Sequence, residues 1–299
     1  MINFLKYKRA FFLFSLLFLL PSVYFLATKG LNPSVDFTGG TLLEIEFSQE
    51  AVITREQLSA ALEAHLDINS LVQTNPHTFI VRAALIDQQT NTQLQQQLVS
   101  QFGLLTEKRF ETIGPTLGKE LIKKTIFGVL LATSFILFYV AVRFKDKKYG
   151  ICAILAMLHD TIIVMGAFSV ATVYFGAQAD ALFVTALLTI LSFSVHDTIV
   201  VYDRIRERVA NYPDLDYVTV VNQAITETLG RSINNSLTII FMLLSLFLLG
   251  GETIRWFVFA LLVGTVSGTY SSTFTAAPLL VVWDSLSRSR LSRSRNVIF

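Results

Sequence analysis

The feature that most constrains this chain is a set of apolar runs, each close to the length that crosses a bilayer. They fall at about 10–27, 122–142, 150–174, 181–202, 233–249 and 254–274. A hydrocarbon core of ~30 Å, crossed at ~1.5 Å per residue, calls for ~20 apolar residues in a row. Backbone N–H and C=O groups find no water there, so each run has to close its hydrogen bonds internally, as a helix. Composition agrees: of 299 residues, 53% are hydrophobic and 15% charged, with a mean hydropathy of +0.56. The expectation is an α-helical polytopic membrane protein with six transmembrane helices, and a soluble enzyme is excluded. The fifth run is short and recruits residues back to Arg231, whose guanidinium snorkels or pairs.

At the N-terminus, Lys6, Lys8 and Arg9 precede the first run. That run exceeds the ~7–15 residues of a signal-peptide core, and no small-x-small cleavage site follows, so it reads as an uncleaved anchor. The chain then divides into 1–27 (N-terminus and first span), 28–121, 122–283 (the five remaining spans) and a basic tail, 284–299. Segment 28–121 is polar. TLLEIEF at 41–47 alternates as a half-buried strand does. Thr54 followed by Gln57 is a capping-box start for a helix to Leu66. A strand at 78–83, an amphipathic helix at 87–102 and a closing strand at 104–113 follow. Two strand-helix-strand units in so short a stretch predict a small α+β domain of the ferredoxin-like kind.

Basic residues set the orientation. Lys6, Lys8 and Arg9; Arg143, Lys145, Lys147 and Lys148; Arg204, Arg206 and Arg208; and Arg288, Arg290, Arg293 and Arg295 fall on one side of the spans. The short loops opposite carry almost none. By the positive-inside rule both termini are cytoplasmic, and the 28–121 domain lies outside.

Ionisable residues inside the spans are the candidate functional groups, because a charge in hydrocarbon is costly and usually marks an ion or substrate path. MLHDTIIV (157–164) and SVHDTIVV (194–201) place His159, Asp160, His196 and Asp197 within adjacent antiparallel spans. Arg231, Asn235 and Thr238 share one face of the fifth span by their spacing. From there Arg231 neutralises Asp197, and the amide or hydroxyl holds water. Asp197 alternating between paired and protonated states would load and release a proton and bias the packing of its neighbours. The competing reading is a structural acid paired with Arg231. His196 points to another face than Asp197, and His159 with Asp160 serves either helix packing or a polar relay. Gly264 and Gly268 form a small-xxx-small packing pair. The hydroxyls of TYSSTFT (269–275) bond back to the preceding turn more readily than they line a crevice. Cys152 allows no internal disulfide, and no metal-ligand spacing, phosphate loop or nucleophile–base pair occurs. No enzyme activity, metal, cofactor or nucleic-acid partner is therefore expected.

VDFTGGTLLEI (35–45), ETIGPTLGKEL (111–121), LHDTIIV (158–164), HDTIVVYDRIRE (196–207), ETLGRSINNSLT (227–238) and GTYSSTFTAAPLL (268–280) occur in one order across nearly the whole chain. In that order they resemble the SecF family of the bacterial SecDF protein-export complex. The resemblance implies half of an RND-type transporter in the inner membrane, with one periplasmic domain between the first two helices. It also implies a SecD-like partner, association with the SecYEG channel, a translocating preprotein as cargo and use of an ion gradient. Protons are the expected coupling ion and sodium the alternative. By position, Asp197 matches the family's acid in the fourth helix and Arg231 its basic residue in the fifth. His196 stands where Asn is frequent, and Asn235 where Thr is frequent. Gly39 and Gly40 allow a bend at the junction into the periplasmic domain, and Asp36 caps or pairs there. The alternatives are a standalone RND-like small-molecule exporter and a structural scaffold of a membrane complex.

Overall fold

The computed structural model of the chain describes residues 3–48, 53–144 and 146–295. Lys145, residues 296–299 of the tail and the side chains of Arg288, Arg290, Arg293 and Arg295 lie outside the described residues. The chain forms two compact units. One comprises Met1–Leu31, Val129–Ala177 and Leu182–Phe299, and the other Asn32–Gly128 with Gln178–Ala181.

The second unit runs α2 (Val35–Thr38), β1 (Gly40–Phe47), α3 (Arg55–Glu63), β2 (Ile68–Asn75), β3 (Thr78–Ala83), α4 (Gln88–Phe102) and β4 (Leu105–Ile113). The four strands form an antiparallel sheet in the order β2-β3-β1-β4. This βαββαβ chain order is the ferredoxin-like one. Alternation in β1 places Leu43, Ile45 and Phe47 on the buried face. Leu58 and Leu62 of α3 and Leu94 and Leu98 of α4 share their core, each pair four residues apart. The capping box forms: Thr54 Oγ1 accepts from Gln57 N, and Gln57 Oε1 accepts from Thr54 N. Strand β2 is the one the sequence left unassigned. It is an edge strand that fully buries only Leu71, so its residues carry little period-2 signal.

Gly39 and Gly40 turn the chain into β1 with φ of 74° and 121°, a region L side chains rarely adopt. A Cβ on Gly40 would lie 2.8 Å from Ala83 O, and one on Gly118 would lie 2.8 Å from Phe37 O. The double glycine therefore answers both a backbone conformation and a close approach. Ser34 caps α2, and Asp36 Oδ2 accepts the Ala181 N–H at 3.2 Å.

The other unit is helical. Its members are α1 (Lys8–Thr28), the C-terminal part of α5 (Pro115–Arg143), α6 (Lys147–Phe175), α7 (Ala181–Asn211), α8 (Tyr217–Leu249), α9 (Glu252–Ser271) and α10 (Ala277–Arg295). A π-helical turn, Ser272–Ala276, joins α9 to α10, so the sixth span runs on to Ser287. Among the described residues, six helices are long and apolar enough to cross a membrane. The sixth and α6 each bury about half of their apolar stretch and α7 slightly less, whereas α1, α5 and α8 leave most of theirs bare. The centre is therefore α6, α7 and α9–α10, where Met157, Leu191, Val195, Tyr202, Ala276 and Leu280 share one core. The fifth span begins at Tyr217, capped by Asp216, well before the expected start. Its early turns are held to the end of α7 by Arg204 and Arg208, which both pair with Glu227. Those charged turns lowered the apolar density that marks a span.

Candidate intramembrane ion site

Two carboxylates are buried at the centre of the bundle. Asp197, on α7, is 5% exposed, and Asp160, on α6, is 0% exposed. No cation of Lys or Arg pairs with either among the described residues; both are held by hydroxyls.

Ser232 Oγ of α8 donates to Asp197 Oδ2 at 2.6 Å, and Ser272 Oγ of the π turn lies 3.4 Å from the same oxygen. The proposed pair between Asp197 and Arg231 is not formed. Arg231, Asn235 and Thr238 do share a face of α8, but that face is exposed, and Thr238 Oγ1 donates back to Asn235 O at 2.7 Å. Ser232 and Ser236 form the buried face one residue on, about 100° around the helix. Ser236 continues it as acceptor from Thr269 Oγ1 at 2.6 Å. His196 is exposed, on a different side of α7 from Asp197.

Asp160 has the denser shell. Its Oδ1 accepts from Ser267 Oγ at 2.7 Å and contacts His159 Nδ1 at 3.0 Å. Its Oδ2 accepts from Ser194 Oγ and Ser271 Oγ, each at 2.6 Å. Ser194 sits on α7 one turn before Asp197, and Ser271 immediately precedes Ser272, so consecutive residues of the sixth span serve different acids. A straight α-helix would point neighbours ~100° apart. The wide π turn that starts at Ser272 is a local departure of the kind often found at functional sites.

The sequence missed the serines that bind the acids. Ser267 and Ser271, four apart, were legible only as small polar residues, and TYSSTFT as local back-bonding. Both bonding modes occur: Ser271 also reaches Gly268 O and Ser272 reaches Thr269 O. Gly264 and Gly268 face α7, where a Cβ would lie 2.1 Å from Ile190 Cδ1 and 3.3 Å from Phe193 Cδ1 respectively. Gly166 plays the same part between α6 and Ser22 of α1.

A six-span bundle with two hydroxyl-held acids and one βαββαβ unit defines a polytopic membrane protein with a polar centre in its bundle. Residues 91–286 match the family model "Protein export membrane protein SecD/SecF, C-terminal", and residues 24–51 match the "SecD/SecF GG Motif". The chain is 41% identical over 308 residues to the protein translocase subunit SecF of Thermobaculum terrenum, covering 98% of this chain and 97% of that one. With the SecF of Anaerolinea thermophila it is 41% identical over 293 residues, covering 95% of each. The crystal structure of SecDF, a translocon-associated membrane protein from Thermus thermophilus, superposes with a TM-score of 0.83 at 34% identity over 95% of this chain. This chain spans 39% of that SecDF chain's length. The chain belongs to the SecD/SecF family of protein-export membrane proteins.

Proposed function

We propose that this protein is an accessory subunit of the Sec protein translocase. With a SecD-like partner it uses an ion gradient to promote export of preproteins through SecYEG. The role and the SecD-like partner are supported by the near full-length likeness to SecF chains and by the superposition on part of a longer SecDF chain. The orientation is that of the basic loops: both termini cytoplasmic, the 28–121 domain periplasmic, the bundle in the inner membrane. The chemistry needs no covalent step and no cofactor, only an ion that binds and leaves. Protons are the favoured ion and sodium the second choice.

One observation carries the ion-driven reading. Asp197 is buried in a spanning helix with hydroxyl hydrogen-bond partners, and no Lys or Arg among the described residues pairs with it. A buried carboxylate in that position favours taking up a cation and gives it up when the surroundings change. Binding and release alter the net charge at the α7–α8–π-turn junction by one unit, enough to bias two helix packings.

Asp197→Asn tests it. In membrane vesicles carrying the translocase, the variant at matched abundance is expected to lose gradient-dependent stimulation of preprotein export. Asn keeps the size and an acceptor for Ser232 while removing the titratable group. Full stimulation by the variant would remove Asp197 from the ion path.

A further inference from the structure

The contact between His159 and Asp160 has a consequence that Asp197 does not share. Asp160 accepts three serine hydroxyls, from Ser194, Ser267 and Ser271, with both oxygens engaged. All three hydroxyls donate, so Asp160 is the acceptor throughout its shell. With Oδ1 accepting, the 3.0 Å contact places the His159 proton on Nδ1. In the neutral ring that leaves Nε2 with a bare lone pair. Nε2 is buried and has no hydrogen-bond partner among the described residues, in a side chain 8% exposed. A carboxylate that fixes the imidazole tautomer and leaves the far nitrogen free is the arrangement that prepares a histidine as a base.

We propose that His159 Nε2 is a second proton-binding site of the bundle, oriented by Asp160 and its three serines. The balance is simple. The Nε2 lone pair takes one H⁺, the ring becomes imidazolium, and the His159–Asp160 dyad goes from one negative charge to neutral. Release reverses each change. The shell around Asp160 consists of uncharged hydroxyls, so the change of charge falls on the dyad itself. The hydroxyl–carboxylate separations of 2.6–2.7 Å are hydrogen-bond contacts, and they leave no gap for a metal cation between the oxygens.

On α7, His196 is exposed and Tyr202 commits its hydroxyl to Ala276 O, while Arg255 lies in the first turn of α9. Asp197 is on α7, one turn beyond Ser194. Tyr270 of α9 commits its hydroxyl to Phe11 O at 2.7 Å. On α1, Lys8, Arg9 and Tyr24 lie towards the helix ends, and on α10 Asp284 follows the buried stretch. Asp197 and the dyad are thus two stations in one bundle, joined structurally by the consecutive residues Ser271 and Ser272.

This inference rests on the ion-driven reading, and the experiment separates the two. The protein has only His65, His77, His159 and His196, so ¹⁵N-histidine labelling of the full chain with its SecD-like partner gives four imidazole signals. The expected result is one neutral ring protonated at Nδ1 whose Nε2 resonance titrates, and whose signals vanish in His159→Asn. The Asn amide can still donate to Asp160 but cannot bind the proton. In vesicles at matched abundance, the gradient-dependent export increment of His159→Asn should fall at least tenfold. Loss in Asp197→Asn with full stimulation in His159→Asn overturns the dyad alone, whereas full stimulation in Asp197→Asn overturns the ion-driven reading itself. Should His159→Asn fail to accumulate, the spectrum of the unaltered protein still decides. A ring protonated at Nε2, or one that never titrates, overturns the proposal.

Discussion

Arg82 carries its charge at a cost inside the α+β unit. Among the described residues its Nη1 on β3 reaches Ser70 Oγ at 3.3 Å, its Nε is buried without a partner, and Arg109 lies nearby. Burial first, and then the Arg109 charge, push its pKa down to about 10. The sign follows from proton counting: between about 10 and the higher ordinary value of a guanidinium, the unfolded chain binds the proton and the folded chain does not. Stability therefore rises as pH climbs through that window, and at neutral pH the charged form is a burden. Arg82→Met should stabilise the unit by about 1 kcal/mol, raising amide-exchange protection in β3 about fivefold. Unchanged or lower protection would show that the aqueous end of the guanidinium relieves the charge. Residue-level chemistry was only partly legible in the bundle, for a related reason. Arg231 and Ser232 are neighbours, and the sequence favoured the charged one as the partner of Asp197. In a soluble helix polarity marks the outward face, but a spanning helix is apolar on its lipid side too, so composition does not say which face is inside. The inner face of α8 is written in small hydroxyls, Ser232 and Ser236, which look unremarkable beside Arg231, Asn234 and Asn235.

At the scale of elements, the long apolar runs and the alternating β1 were legible because each repeats one physical demand over many residues. Edge strand β2 and the π turn were not. The first buries too little to show a period, and the second depends on which side chains its neighbours offer, including Tyr202, whose hydroxyl donates to Ala276 O at 3.0 Å. Close helix crossings lie between these cases. The Gly264–Gly268 spacing announced a crossing but not its partner, and Gly166 gave no spacing signal. The partner of Gly264 is now specific. A Cβ there would meet Ile190 at 2.1–2.7 Å along the whole branched side chain, more than a rotamer tip can yield. Gly264→Val should destabilise the bundle by about 1–3 kcal/mol through overpacking. Ile190→Ala alone should destabilise by leaving a cavity. The two together should cost clearly less than their sum, because one change supplies the volume the other needs. Thermal unfolding of the four proteins in one detergent measures this, and additive losses would place the α7–α9 contact elsewhere.

Over the whole molecule, the uneven burial of the spans is the informative property. The sixth span, α6 and α7 form a closed centre, while α8 turns Arg231, Asn234, Asn235 and Thr238 outward on one side. Amides and a guanidinium facing hydrocarbon are disfavoured by ~2.5–3.5 kcal/mol for a charge at mid-span, so this stripe calls for a covering surface. The chain spans 39% of the SecDF chain it superposes on, and the remainder of such an assembly is where the cover would come from. A SecD-like helix carrying its own polar groups would satisfy Asn235 and neutralise Arg231 from outside. The cation that the sequence assigned to Asp197 would then serve the interface between subunits. The prediction can be read on adjacent residues. In a Cys152→Ala background, which removes the chain's one native thiol, Asn235→Cys should cross-link to a SecD-like partner in native membranes. Ser236→Cys, turned inward to Thr269, should not. Equal cross-linking at both positions would mean that α8 rotates on assembly. Cross-linking at neither would leave the stripe to water and would take the partner away from this face.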